Sequence, residues 1–207
     1  MTNARAYWDN EFTTKVNHHS YQNKEISQDF IAHLTPIFRD TIKTSKSIIE
    51  IGCGSGEMSA LVGAVFQKMV LGTDFSMGAI SYAQKKNQNG YAHFKKFDPL
   101  TMEMKDHYDL AICSNTIEHF TFPFILVDKI FKFSDKVIIL VPYDQPVCDG
   151  FDIDGGPGHV FQFTELSFED RYLVSDSFTF KSNGWQHSSK GEEPLQLAVL
   201  LEKKNGS

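Results

Sequence analysis

The residues best placed to do chemistry begin at Ile48-Ile-Glu-Ile-Gly52-Cys-Gly54-Ser-Gly56-Glu-Met-Ser-Ala60. An apolar, β-type run enters a glycine loop that opens a helix, the arrangement that holds a ligand at the carboxyl edge of an α/β sheet. Glycines let backbone approach a ligand closely, and the free N–H groups of a helix start favour an anion. The spacing narrows the ligand. A dinucleotide fingerprint G-x-G-x-x-G needs a third glycine at 57, where Glu57 stands, and a phosphate loop needs Gly-Lys where the chain has Glu57-Met58. What remains is an acid-x-G-x-G-x-G pattern of Glu50, Gly52, Gly54 and Gly56. Further acids close the next two β-rich runs, at Val70-Leu-Gly-Thr-Asp74 and Phe97-Asp98-Pro99-Leu100. Two histidines, His119 and His159, follow later strands and can titrate near neutrality, which suits a general base.

Taken in order, these elements resemble the motifs of the class I S-adenosylmethionine-dependent methyltransferases of small-molecule type, over roughly residues 45–203. The resemblance extends to Tyr108-Asp-Leu-Ala-Ile-Cys-Ser-Asn-Thr-Ile-Glu118-His119 as a fourth-strand motif and to Val137–Val141 with Pro142-Tyr143 as the fifth. It implies that the backbone of Gly52, Cys53, Gly54 and Gly56 lies against the methionyl part of S-adenosylmethionine, with Glu50 polarising the loop from beneath. Asp74 would hold the ribose, and Phe75 and Met77 would flank the adenine. Asp98, followed by Pro99, would read the adenine amino edge, and Asn115 and Thr116 would lie near the sulfonium. Tyr7-Trp8-Asp9 is similar to the aromatic-acid patch that such enzymes fold over the cofactor, which adds Trp8 to the cofactor set. The products are a methylated acceptor and S-adenosylhomocysteine.

Methyl transfer from a sulfonium is an in-line displacement, so positioning and exclusion of water are the enzyme's main contributions. A hydroxyl acceptor needs a base as well; an amine needs one only if it arrives protonated. His119 is the first candidate base, and Glu118, Tyr143 and Asp144 come second. His159 opens a segment, Gly158-His-Val-Phe-Gln-Phe-Thr-Glu, similar to the family loop that closes over a substrate. Glu118-His119 with His159 is also similar to the ligand set of metal-dependent small-RNA 2′-O-methyltransferases. Those enzymes carry a further glutamate three residues earlier, where Asn115 stands here, so no metal is expected. Asp149, Asp152 and Asp154 mimic part of a calcium loop, but Gly150 and Phe161 occupy its first and twelfth ligand positions. A solvated acidic loop is the expectation there, as solvated side chains are for His18-His19.

The elements that position these residues follow from periodicity. Residues 1–21 are polar with interspersed aromatics and no clean period, and read as an arm or lid. From Asn23, apolar residues recur at helical spacing through Ile42, with Pro36 expected to kink or split the helix. Strands are expected at Ser47–Ile51, Met69–Thr73, Ala92–Phe97, Tyr108–Ser114 and Val137–Val141. Helices are expected at Glu57–Lys68, from the Ser76 cap to about Asn87, at Phe122–Phe133, and from the Thr164 cap to about Leu173. A loop at Cys148–Gly158 precedes two final strands, Ser177–Lys181 and Leu195–Glu202, joined through Asn183-Gly184 and Lys190-Gly191. The expected fold is α/β: a Rossmann-like, seven-stranded, mostly parallel sheet with an antiparallel C-terminal hairpin and helices on both faces. One methyltransferase domain would span 1–207, with 1–45 forming the lid and 46–207 the core.

Composition limits the partners. The 207 residues hold 20 Lys+Arg against 26 Asp+Glu, a net charge of −6 that opposes binding through phosphates. Only Arg5, Arg39 and Arg171 could fork onto a phosphate. The expected partner is therefore a small-molecule acceptor rather than a nucleic acid. Cys53, Cys113 and Cys148 form no CxxC pair, favouring a reducing, cytoplasmic setting. No apolar run reaches the ~20 residues that span a bilayer, and no apolar signal core opens the chain, so no membrane partner is expected. A monomer or homodimer is expected. Two alternatives are an inactive cofactor-binding partner of another methyltransferase and the metal-dependent RNA enzyme above.

Overall fold

The computed structural model describes residues 2–14, 16–144, 159–182 and 195–204, and side chains from residue 5 onward except 15–19. Seven strands form one sheet in the order β3-β2-β1-β4-β5-β7-β6. Strands β1 (Ile48–Ile51), β2 (Val70–Asp74), β3 (Ala92–Lys96), β4 (Tyr108–Ser114) and β5 (Ser134–Pro142) run parallel. β7 (Leu195–Glu202) lies antiparallel between β5 and β6 (Leu173–Lys181).

The centre of the sheet is buried on both faces, as an unbroken apolar run requires. On β5, Val137, Ile139 and Val141 pack with helix α6 (Pro123–Ile130) through Leu126, Val127 and Ile130. Ile138 and Leu140 point the other way, into the core built with α2 (Val16–His33), α3 (Pro36–Thr44) and α4 (Glu57–Phe66). Each such side chain contributes about 1.5–3 kcal/mol relative to exposure. α5 (Met77–Lys86) begins at Ser76, whose hydroxyl accepts the Ala79 N–H, and ends on Lys85 and Lys86, where cations favour the carbonyl end.

Several boundaries differ from the sequence reading, each for a local reason. The expected arm is helical, as α1 (Thr2–Thr14) and the first part of α2. Its inward face carries Arg5, Trp8, Asp9 and Phe12, a mixed set that leaves no apolar period to read. The kink at Pro36 is a full break: Thr35 accepts the Phe38 N–H and Pro36 starts a new helix. The helix expected after Thr164 is a single 3₁₀ turn, Glu165–Phe168, because β6 already starts at Leu173 to pair with Glu202. The expected loop 148–158, with its three aspartates, and the turns at 183–184 and 190–191 lie outside the described residues, as do the side chains of His18 and His19.

Candidate functional site

The glycine loop forms where β1 meets α4, and all three of its glycines take a left-handed backbone. Gly52 has φ +73°, and a Cβ there would stand 2.4 Å from Thr116 Oγ1, so the loop and the segment after β4 touch backbone to side chain. Gly54 has φ +50° and carries the Phe12 ring of α1, which an added Cβ would meet at 3.0 Å. Glu50 lies beneath the loop, buried, and accepts the Ser59 hydroxyl. Burial pushes its carboxyl up to about 7. Asp74, at the tip of β2, accepts the Gly54 N–H at 3.0 Å and the Ser76 N–H at 2.9 Å. It thereby braces the loop against the next helix, and burial raises its pKa to about 6.

These two acids give the fold a pH dependence whose sign is fixed. A carboxyl with a raised folded pKa binds its proton more tightly when folded. Its stabilising contribution is complete below its unfolded value and is lost as pH rises through the folded one. For Glu50 the window runs from 4.5 to about 7, and for Asp74 from 3.8 to about 6. The denaturation midpoint should therefore fall between pH 5 and pH 8. Glu50→Gln should remove about 3 kcal/mol of that dependence. An identical pH slope in the variant would contradict this account of Glu50.

The residues assigned to adenine share one cleft of about 550 Å³, lined by Phe75, Met77, Asp98 and the α1 residues Arg5, Ala6 and Asp9. Pro99 follows Asp98, half-buried. Asp98 is already engaged: Oδ1 accepts the Leu100 N–H at 3.0 Å, and Oδ2 accepts the Thr101 hydroxyl and the Arg5 guanidinium. The end assigned to the methionyl part is tighter. Glu50, Gly52, Cys53, Asn23, Ser27 and Ser114 enclose a cavity of about 20 Å³, space for roughly one water. Beside that cavity, Phe12 lies on Gly54 and Thr116 against Gly52.

The two candidate bases meet. β4 runs into a 3₁₀ turn, Ile117–His119, and the Val160 N–H donates to the Glu118 carbonyl at 3.0 Å, drawing the His159 segment alongside. The His119 and His159 ring centroids are 5.3 Å apart, and Trp8 packs on His119 at 4.9 Å. Glu118 is 1% exposed, and neither carboxylate oxygen has a hydrogen-bond partner among the described residues. Burial pushes its pKa to about 8. One ligand atom from each of Glu118, His119 and His159 lies within 4.8 Å of the others, close enough to hold a metal ion. Asn115 takes φ +46°, and its Oδ1 is likewise buried without a partner among the described residues. The second-choice bases stand differently: Gln162 donates to Asp144, and Glu165 hydrogen-bonds Tyr143, raising its pKa.

Three contributors carried no readable signal: Arg5, the α2 residues Asn23 and Ser27, and the network at Glu57. The Glu57 carboxylate accepts Ser20, Ser55 and Lys86, tying α2, the loop and α5 together. Glu57 was visible only as a mismatch to other glycine motifs, while its partners come from elements distant in sequence.

A parallel sheet closed by an antiparallel β7 beside β5, with an acid-and-glycine loop after β1, marks the class I S-adenosylmethionine-dependent methyltransferases. This chain belongs to the methyltransferase-domain family, whose model matches residues 20–167. S-adenosylmethionine is its cofactor. No sequence among the curated proteins matches it. Among solved structures, magnesium protoporphyrin IX methyltransferase from Synechocystis PCC 6803 with bound S-adenosylhomocysteine is similar at TM-score 0.59 and 14% identity, over 94% of this chain and 86% of that one. A methyltransferase from Methanosarcina mazei aligns at 0.62 and 19%, over 82% and 98%. The putative methyltransferase of Haloferax volcanii, in complex with the Trm112 activator, aligns at 0.69 and 9%, over 99% of both chains. At these identities the likeness is one of fold. Among the described residues, no helix is long and apolar enough to cross a membrane.

Proposed function

We propose that this protein methylates a hydroxyl or amine of a small-molecule acceptor, such as a metabolite, sugar or natural-product intermediate, in a single cytoplasmic domain acting as monomer or homodimer. The observation that carries this reading is the meeting of His119 and His159 beside Thr116, which touches the glycine loop. In this reading the loop positions the methionyl part, Trp8 and Phe12 exclude water, and His119 takes the acceptor's proton. His159 orients the acceptor. The net charge of −6 supports a metabolite over an RNA.

A second reading is favoured by the buried carboxylate of Glu118. One carboxylate and two imidazoles suit a divalent transition metal, and a buried carboxylate without a partner among the described residues is the group such an ion would satisfy. Glu118, His119 and His159 would hold it, and the ion would supply acidification of an acceptor hydroxyl. The ligand atoms would have to draw in, since bonds of about 2.1 Å place tetrahedral ligands about 3.4 Å apart. A third reading is an inactive cofactor-binding partner of another methyltransferase; the Haloferax neighbour, a putative methyltransferase, is itself in complex with an activator.

One experiment separates the three: a screen of hydroxyl and amine compounds that reads S-adenosylhomocysteine release, with and without chelator and added Mn²⁺. Release that chelator leaves unchanged is the expected result. Release abolished by chelator and restored by Mn²⁺ selects the metal-dependent reading. Cofactor binding with no turnover on any acceptor selects the inactive partner.

A further inference from the structure

Arg5 donates to the Asp98 carboxylate and lays its guanidinium over the Phe75 ring, 5.2 Å from the centroid. Those are the acid and the aromatic assigned to adenine, and the inference rests on that assignment. A guanidinium is planar, stacks on aromatic faces and presents N–H donors, so it makes the two contacts that an adenine face and amino edge would make. Asp98 has little capacity beyond Arg5, because Leu100 and Thr101 also donate to it.

The rest of the same helix face lies along the cofactor path. Arg5, Trp8, Asp9 and Phe12 fall at i, i+3, i+4 and i+7, one stripe of a helix. They reach, in turn, the end of β3, His119 after β4, the Ser76 hydroxyl after β2, and Gly54 after β1. Core burial does little to hold this helix: among the described side chains of α1, only Glu11 is buried. Along this stripe an ion pair, a hydrogen bond and ring contacts hold it, each exchangeable, while beside it Glu11 is buried and Phe12 and Thr13 approach Gly78 of α5.

We propose that Arg5 is an internal competitor for the adenine subsite, standing in for adenine on Asp98 and Phe75 and latching α1 over the glycine loop until the cofactor displaces it. The adenine end, at about 550 Å³, admits its part of the cofactor first. The methionyl end, at about 20 Å³ and walled in part by Asn23 and Ser27 of α2, is approached over Gly54, which Phe12 leaves as α1 lifts. Because Trp8 rides on the same helix against His119, the acceptor side is rearranged in the same step. Cofactor binding therefore precedes acceptor binding.

The test is stopped-flow association of S-adenosylhomocysteine with the wild type, Arg5→Ala, Arg5→Lys and Asp98→Asn, together with hydrogen exchange of α1 without ligand. Arg5→Ala should speed association by about fivefold, the scale of a half-exposed ion pair, and hasten exchange across α1. Arg5→Lys, which keeps the charge but loses the fork and the stacking, should fall between. Unchanged association and exchange in Arg5→Ala would overturn the latch alone. Equilibrium binding weakened more than fivefold in that variant would overturn it too, since Arg5 would then hold the cofactor rather than its place. Asp98→Asn with wild-type affinity would overturn the adenine assignment, and the latch with it.

Discussion

Gly52→Ala is expected to lower cofactor affinity by about a hundredfold. The backbone at Gly52 sits at φ +73°, where an L side chain costs about 1–2 kcal/mol. The new Cβ would also lie 2.4 Å from Thr116 Oγ1 and 2.7 Å from its Cγ2, contacts that oblige the segment after β4 to move. Together these amount to about 3 kcal/mol, and each 1.4 kcal/mol is tenfold in a binding constant. Calorimetric titration with S-adenosylhomocysteine measures the loss, and thermal unfolding measures how much of it is folding. Gly52→Ala combined with Thr116→Ala should recover part of the affinity, because it removes both close atoms and leaves the backbone cost. Wild-type affinity in the single variant would displace Gly52 from the cofactor site.

His119→Ala should leave cofactor affinity unchanged and lower turnover at least about tenfold, since a positioned base contributes some 10²–10⁴ on a hydroxyl acceptor. The acid limb of the pH profile should disappear with it, a signature that mere loss of the Trp8 contact would not produce. His119→Phe keeps a ring against Trp8 and should be as slow as alanine. An unchanged rate in both variants would remove His119 from the chemistry and leave His159 as the candidate.

Much of this was legible in the residues. The loop at Glu50–Gly56, the strands Tyr108–Ser114 and Leu195–Glu202 and the Ser76 cap stand where periodicity and turn chemistry put them. Each is a local signal, carried by residues adjacent in the chain. What escaped were the pairings made by the fold. Arg5 and Asp98 are 93 residues apart, and nothing near either announces the other. Glu118 is legible as a second-choice base and, with His119 and His159, as part of a ligand set, but its burial is not. Its burial comes from β4 ending among buried neighbours and from the His159 segment folding back onto it, which no spacing encodes. The helicity of α1 escaped because its inward face is chosen to touch loops and acids rather than to fill a core.

The place of β7 has a consequence for how the chain is made. β6 precedes β7 in sequence, yet among the described residues it pairs with no strand but β7, which lies between it and β5. Until Leu195–Glu202 is synthesised, β6 has no position in the sheet, and β5 presents its Val137–Val141 edge with an unpaired row of N–H and C=O groups. Residues 142 and 202 are 60 apart. At about 5–20 residues per second, a nascent chain carries that open apolar edge for roughly 3–12 s, and the sheet then closes in one late step. Slower translation across this stretch is therefore expected to lengthen the exposure of that edge and to raise the share of chains captured in aggregates, which a comparison of fast and slow codons over residues 143–202 would measure.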